Sequence, residues 1–185
     1  DCAIGASASD SDDSNLSFVS ATSSVRTRTG SSESYCSSSE NTKRAISICS
    51  LNAWSLRNKL SLFHSFLITD SVDIVLVQET HLNSTISDAE LVPDGYSVYR
   101  RDRGDRKGGG VLIAHRREIA CSLVSLDPDG IEGLEFLLIR VCCASFPLYI
   151  CNIYRPNTGT TLVKKMYDSQ LKTLVWKLAE LLTPT

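Results

Sequence analysis

The sequence has no long apolar run. The longest, such as residues 74–77 and 136–139, fall far short of the ~20 residues that cross a bilayer, which excludes a membrane-spanning helix. It has no surplus of one charge either. Its 19 Lys and Arg stand against 21 Asp and Glu, a net charge of −2, so a polyanionic partner would have to be met by local clusters. None of its 7 cysteines forms a Cys-x-x-Cys pair, the spacing that zinc sites use. Adjacent Cys142 and Cys143 point to opposite faces of a strand. The odd count, spread through apolar runs, reads as buried thiols of a reducing, intracellular compartment. Residues 1–8 lack the basic start and apolar core of a signal peptide.

What is present has the length of one domain, 185 residues, and an apolar share of 42%, enough for a core. Residues 1–44 are a different material. Fourteen serines and only isolated apolar residues leave too little surface to bury against the entropy of ordering the chain, so this tail is expected to be disordered. The folded part is expected over residues 45–185.

Within it, residues 45–51 alternate as a strand and run into Asn52. Leu56, Leu60, Phe63 and Leu67 then recur at helical spacing, and residues 72–77 form a short run, rich in β-branched residues, that reads as a strand buried on both faces. Strand, helix and strand with short joints make a crossover unit, which brings both strands' carboxyl ends to one edge. Asn52 and Glu79 therefore belong to the same rim. Residues 81–88 read as a polar loop and residues 96–100 as a strand. Residues 101–107 follow, with Arg101, Arg103, Arg106 and Lys107 against Asp102 and Asp105. Gly108, Gly109 and Gly110 lack the Lys-Ser or Lys-Thr of a phosphate-binding P-loop and precede a strand, so they read as a bend at its foot. Three further strands are expected at 118–126, 133–141 and 146–153, joined by turns and hence antiparallel. A helix is expected over 161–183, with the stripe Leu171, Leu174, Leu178 and Leu181.

Leu-Asn-Ala-Trp-Ser-Leu-Arg-Asn-Lys at 51–59, Val-Gln-Glu-Thr-His-Leu at 77–82 and Asn-Ile-Tyr-Arg-Pro-Asn at 152–157 stand at three strand ends. Tyr-Arg-Arg-Asp-Arg and Gly-Gly-Gly-Val lie between. This ordered series resembles the endonuclease/exonuclease/phosphatase superfamily, in particular the apurinic-endonuclease-like nicking domain of non-long-terminal-repeat retrotransposons. The resemblance implies an α+β fold, a two-layer β-sandwich with flanking helices, incomplete here. It implies Mg2+ as cofactor, DNA as partner, a reverse transcriptase in the parent polyprotein, and so a nuclear location. By motif, Glu79 is the metal-binding glutamate, Asn52 the asparagine beside it, catalytic and metal-binding, and Tyr154 the tyrosine on the scissile phosphate. Arg100, Arg101, Arg103, Arg106, Lys107 and Arg155 are the expected DNA-backbone contacts.

The sequence departs from the family pattern in lacking, after Tyr154, the Asp-x-Asn and the Ser-Asp-His that complete the hydrolytic site. Asp168-Ser169-Gln170 lies inside the expected helix, and His64, His81 and His115 all precede Tyr154. These residues, like Asp102, Asp105, Glu132 and Glu135, are assigned to structure or solvent. The expectation is a truncated domain with one apolar sheet face incompletely covered and activity belonging to the intact parent. The alternatives are a non-enzymatic remnant with weak DNA binding, or a small-molecule phosphoesterase of the same superfamily.

Overall fold

The computed structural model describes residues 45–104, 108–143, 147–156 and 159–183. The Ser-rich segment 1–44 lies outside them, as do Arg106 and Lys107.

Strands β1 (Ile48–Asn52) and β2 (Ile74–Gln78) pair in parallel, with helix α1 (Leu60–Thr69) as the crossover. The expected unit forms, but α1 begins a turn later than the apolar spacing indicates. Trp54 and Ser55 have φ of 43° and 80°, a left-handed pair that cannot enter a right-handed helix. A short helix, α2 (Asp88–Leu91), opens where only loop was expected, and a capping box between Ser87 and Glu90 satisfies its first turn. Strands β3 (Tyr96–Arg101) and β4 (Val111–Arg116) form an antiparallel hairpin whose second strand inserts beside β2, giving the order β1-β2-β4-β3.

Strands β5 (Cys121–Leu123), β6 (Glu135–Val141) and β7 (Leu148–Tyr154) make a second, antiparallel sheet in sequence order. β5 is shorter than its apolar run. The Ile119 N–H donates to Arg116 O at 3.0 Å, closing a turn before the strand. Helix α3 (Thr161–Leu182) is capped by Thr160, whose hydroxyl accepts from the Val163 N–H. Among the described residues no helix is long and apolar enough to cross a membrane.

Three apolar layers hold these elements. Val75, Val77, Leu51 and Leu112 face α1 through Phe63 and Leu67. Ile74, Val111 and Ile113 face the second sheet through Leu137, Ile139 and Ile150. One apolar sheet face, unassigned by the sequence, was expected to stand incompletely covered; the outer face of the second sheet is not such a face. Helix α3 packs over it, placing Leu174, Tyr167 and Leu178 against Ile131, Leu134, Phe136, Cys151 and Ile153. The described cysteines are unpaired thiols. Burial pushes Cys121 and Cys151 up to about 11, which keeps both protonated. Cys142, expected to be buried, is exposed.

One buried side chain ties the two sheets together. Asn152 of β7 donates from Nδ2 to Val77 O at 3.0 Å and to Leu112 O at 2.8 Å, while its Oδ1 accepts from Gln78 Nε2. Both amide protons are used, so an otherwise costly buried amide is satisfied. The expected glycine bend also forms. Gly108, Gly109 and Gly110 have φ of 84°, 69° and 87°. A Cβ on Gly110 would lie 2.4 Å from Thr80 Oγ1, so the bend into β4 admits no side chain there.

Two stability predictions follow from this packing. Leu174→Ala should cost ~2–5 kcal/mol in urea unfolding, because Leu174 is α3's fully buried anchor, whereas Leu162→Ala, 77% exposed, should change stability by less than about 0.5 kcal/mol. Gly110→Ala should cost distinctly more than Gly95→Ala. Both glycines have positive φ, but a Cβ on Gly95 meets nothing within 4 Å, so Gly95→Ala should cost only about 1 kcal/mol.

Candidate metal and phosphate site

Glu79 follows β2 directly, and strict alternation would put it on the face of Val75 and Val77, inside the helix-side core. It does not go there. Its φ of 52° breaks the alternation and swings the carboxylate toward the sandwich rim. A left-handed conformation in a residue with a Cβ costs of order 1–3 kcal/mol and persists only where the surroundings enforce it. Here the chain on both sides does so. Ala53, Ser55 and Leu56 donate N–H groups to Gln78 O, Glu79 O and Thr80 O at 2.9, 2.8 and 2.9 Å. On the other flank, Thr80 and His81 donate to Gly110 O and Gly109 O at 3.3 and 2.9 Å.

Tyr154 ends β7 on the same rim. Its phenol is raised above the ordinary tyrosine range, first by burial, then by the charge of Glu79 and by Glu79 as acceptor for its hydroxyl, with Arg103 opposing. The hydroxyl therefore stays protonated at neutral pH and can donate. Asn52, at the end of β1, pairs in register with Gln78 and is exposed. Its Oδ1 accepts the Trp54 N–H at 3.0 Å, which fixes the amide and leaves that oxygen one further lone pair.

The cations divide into two groups. Arg100 is turned inward, its guanidinium donating to Asn83 O and Ile86 O at 2.7 Å each, to Asp88 at 3.2 Å and to Asp102. Its donors are spent on bracing the loop before α2, which takes it out of the expected phosphate-contact set. Arg103 is also braced. Its Nε donates to Glu135, its guanidinium lies across Gly109, and its Cζ sits 5.5 Å from the centre of the Tyr154 ring. Arg101 is exposed, over the Phe136 ring at 5.8 Å. Arg155 is exposed in a pair with Asp168 of α3 at 3.0 Å, a contact weak enough to exchange for a phosphate.

Glu135 and Asn152 belong to this site, although sequence reasoning passed over them. Glu135 stands opposite Tyr154 in the β6–β7 register. Its Oε1 takes Arg103 and its Oε2 takes the Gly110 N–H at 2.5 Å, so one carboxylate locks the cation and the glycine bend together. Read locally, Glu135 is only a charge at the start of a strand. Asn152 lies two residues before Tyr154 within the Asn-Ile-Tyr motif, which was its one visible signal.

Magnesium is usually held by one or two carboxylates, completed by water and substrate phosphate. Among the described residues no group of three or more His, Cys, Asp or Glu is placed to hold a metal. Glu79 with the free lone pair of Asn52 Oδ1 is the donor set at the rim, all oxygen, and it fits a hard cation of that kind.

The sequence profile of the Endonuclease/Exonuclease/phosphatase family matches residues 49–176. No curated protein sequence matches the chain. An AP endonuclease from Archaeoglobus fulgidus superposes with a TM-score of 0.53 at 22% identity, over 75% of this chain and 52% of its own. The AP endonuclease LMAP from Leishmania major gives 0.51 at 21% identity, over 72% of this chain and 46% of its own. D. rerio TDP2, humanized by 14 mutations, gives 0.50 at 20% identity, over 73% and 56%. The chain thus spans about half the length of these structures, and at such identities the likeness is one of fold. The profile match, running from β1 into α3, shows more than fold: the chain belongs to the endonuclease/exonuclease/phosphatase family.

Proposed function

We propose that this chain supplies the metal- and phosphate-binding part of a magnesium-dependent DNA endonuclease of the retrotransposon type. The observation that carries the reading is the meeting of Glu79, from the end of β2, with the Tyr154 hydroxyl, from the end of β7, at one rim.

Glu79 and Asn52 would hold the metal through oxygen. An ion held there would supply Lewis-acid polarisation of the phosphoryl group and would offset the charge developing on it. The chain's own residues do the rest of the binding. Tyr154 keeps its proton and, once a phosphate is bound, would turn its single O–H from Glu79 to a phosphate oxygen. Arg103, pinned by Glu135, adds positive potential behind the Tyr154 ring. Arg101 and Arg155, both exposed, follow the phosphate backbone.

The Asp-x-Asn and Ser-Asp-His that the resemblance implies do not occur after Tyr154 in this sequence. Full turnover is therefore assigned to a parent polyprotein that provides them, along with a reverse transcriptase, acting in the nucleus. The retrotransposon branch rests on the 51–59 and 101–111 motifs, and no observation favours a small-molecule substrate.

Calorimetric titration of Mg2+ into this chain, alongside relaxation of supercoiled plasmid by the parent polyprotein with Mg2+, tests the assignment. Glu79→Ala should abolish nicking and weaken Mg2+ binding by at least about tenfold, whereas Tyr154→Phe should keep metal affinity and lower nicking by ~10²-fold, the worth of one lost donor to a developing charge. Unchanged metal binding in Glu79→Ala would remove the basis of the reading.

A further inference from the structure

Trp54 is 78% exposed, beside the site. An indole left in water is unusual, because its large apolar face is ordinarily covered. The core does not need it. Ala53 and Leu56, on either side, bury the loop's apolar groups at 2% and 0% exposure.

The loop nevertheless holds the indole outward at a conformational cost. Trp54 and Ser55 are consecutive left-handed residues, a region that bulky side chains disfavour. Four polar ties enforce it. The Trp54 N–H donates to Asn52 Oδ1 at 3.0 Å and the Ser55 N–H to Glu79 O at 2.8 Å. Lys59 Nζ donates to Ala53 O at 2.9 Å and to Trp54 O at 3.5 Å. Trp54 is thus presented by a pinned segment, one residue from the peptide bonded to Glu79. Its surroundings are polar or cationic, with Asn52, Arg57 and Asn58 all exposed.

We propose that Trp54 is a base-stacking residue, taking the face of an unpaired nucleobase next to the phosphate held at the Glu79–Tyr154 rim. A lone rigid aromatic flanked by donors and a cation is what single-stranded nucleic acid uses, because every base offers a π-face and every link a phosphate. A protein partner would instead call for a contiguous apolar patch around the indole. The proposal rests on DNA as the partner, the reading given above, but not on catalysis.

The chain's second tryptophan, Trp176, lies on α3, so Trp176→Phe leaves Trp54 as the sole indole. In that background, without Mg2+, a single-stranded oligonucleotide should quench the emission and a blunt duplex should quench it far less. In the otherwise unaltered chain, Trp54→Ala should weaken single-strand binding by about 5- to 150-fold and Trp54→Phe should restore most of it, as measured by anisotropy of a labelled oligonucleotide. Trp54→Gly should melt at a higher temperature than the unaltered chain, since it relieves the left-handed residue, and still bind as weakly as Trp54→Ala. Absent quenching, or single-strand affinity unchanged in Trp54→Ala, would overturn the proposal. Quenching that persists when Mg2+ binding proves independent of Glu79 would leave stacking standing and remove only the phosphodiesterase reading.

Discussion

A single buried amide sets the distance between the two strand ends on which the site depends. Asn152 reaches from β7 across the sandwich to Val77 O and Leu112 O, and takes a hydrogen bond back from Gln78. Apolar layers alone hold sheets together without directing their relative slide, because burial is non-directional. Two donated bonds to neighbouring strands of the opposite sheet are directional. They bring Tyr154, two residues beyond Asn152, to the rim where Glu79 ends β2.

The second constraint is local and strained. Glu79 leaves its strand in a left-handed turn because the chain on either side offers carbonyls and N–H groups only to that path. The glycine bend is one of those sides. Its glycines pass close enough to Thr80 and to the Arg103 guanidinium that no side chain fits, and Glu135 then fastens bend, cation and Tyr154 strand to one another. Carboxylate, phenol and glycines thus form one connected rim, and a change at any of them is felt by the others.

The same rim reassigns the positive charge. A run of arginines in sequence reads as one basic surface, yet among the described residues Arg100 and Arg103 are consumed by Asp102, Glu135 and backbone carbonyls, while Arg101 and Arg155 face outward. At this rim the described cations are thus single, directed groups.

The sequence by itself determined the crossover of β1, α1 and β2, the glycine bend, and α3 with Leu174 and Leu178 of its expected stripe, though Leu181 is exposed and Tyr167 packs instead, because each is written in the spacing of neighbouring residues: period 2, period 3.6, or a glycine where positive φ is required. It also determined that Glu79, Asn52 and Tyr154 end three strands. Only the tertiary structure decided which way they point. Alternation sends Glu79 into the core, and hydrogen bonds donated by 53–56 and accepted by the carbonyls of 109–110 turn it out. Asn152 is one polar letter in an apolar strand until Val77, 75 residues away, becomes its partner. Arg100 and Arg103 are solvated cations until folding brings Asn83 and Glu135 to them. Burial periodicity is a property of short segments, whereas the partners of a buried amide or a braced guanidinium are chosen by strands that meet only when the sandwich closes.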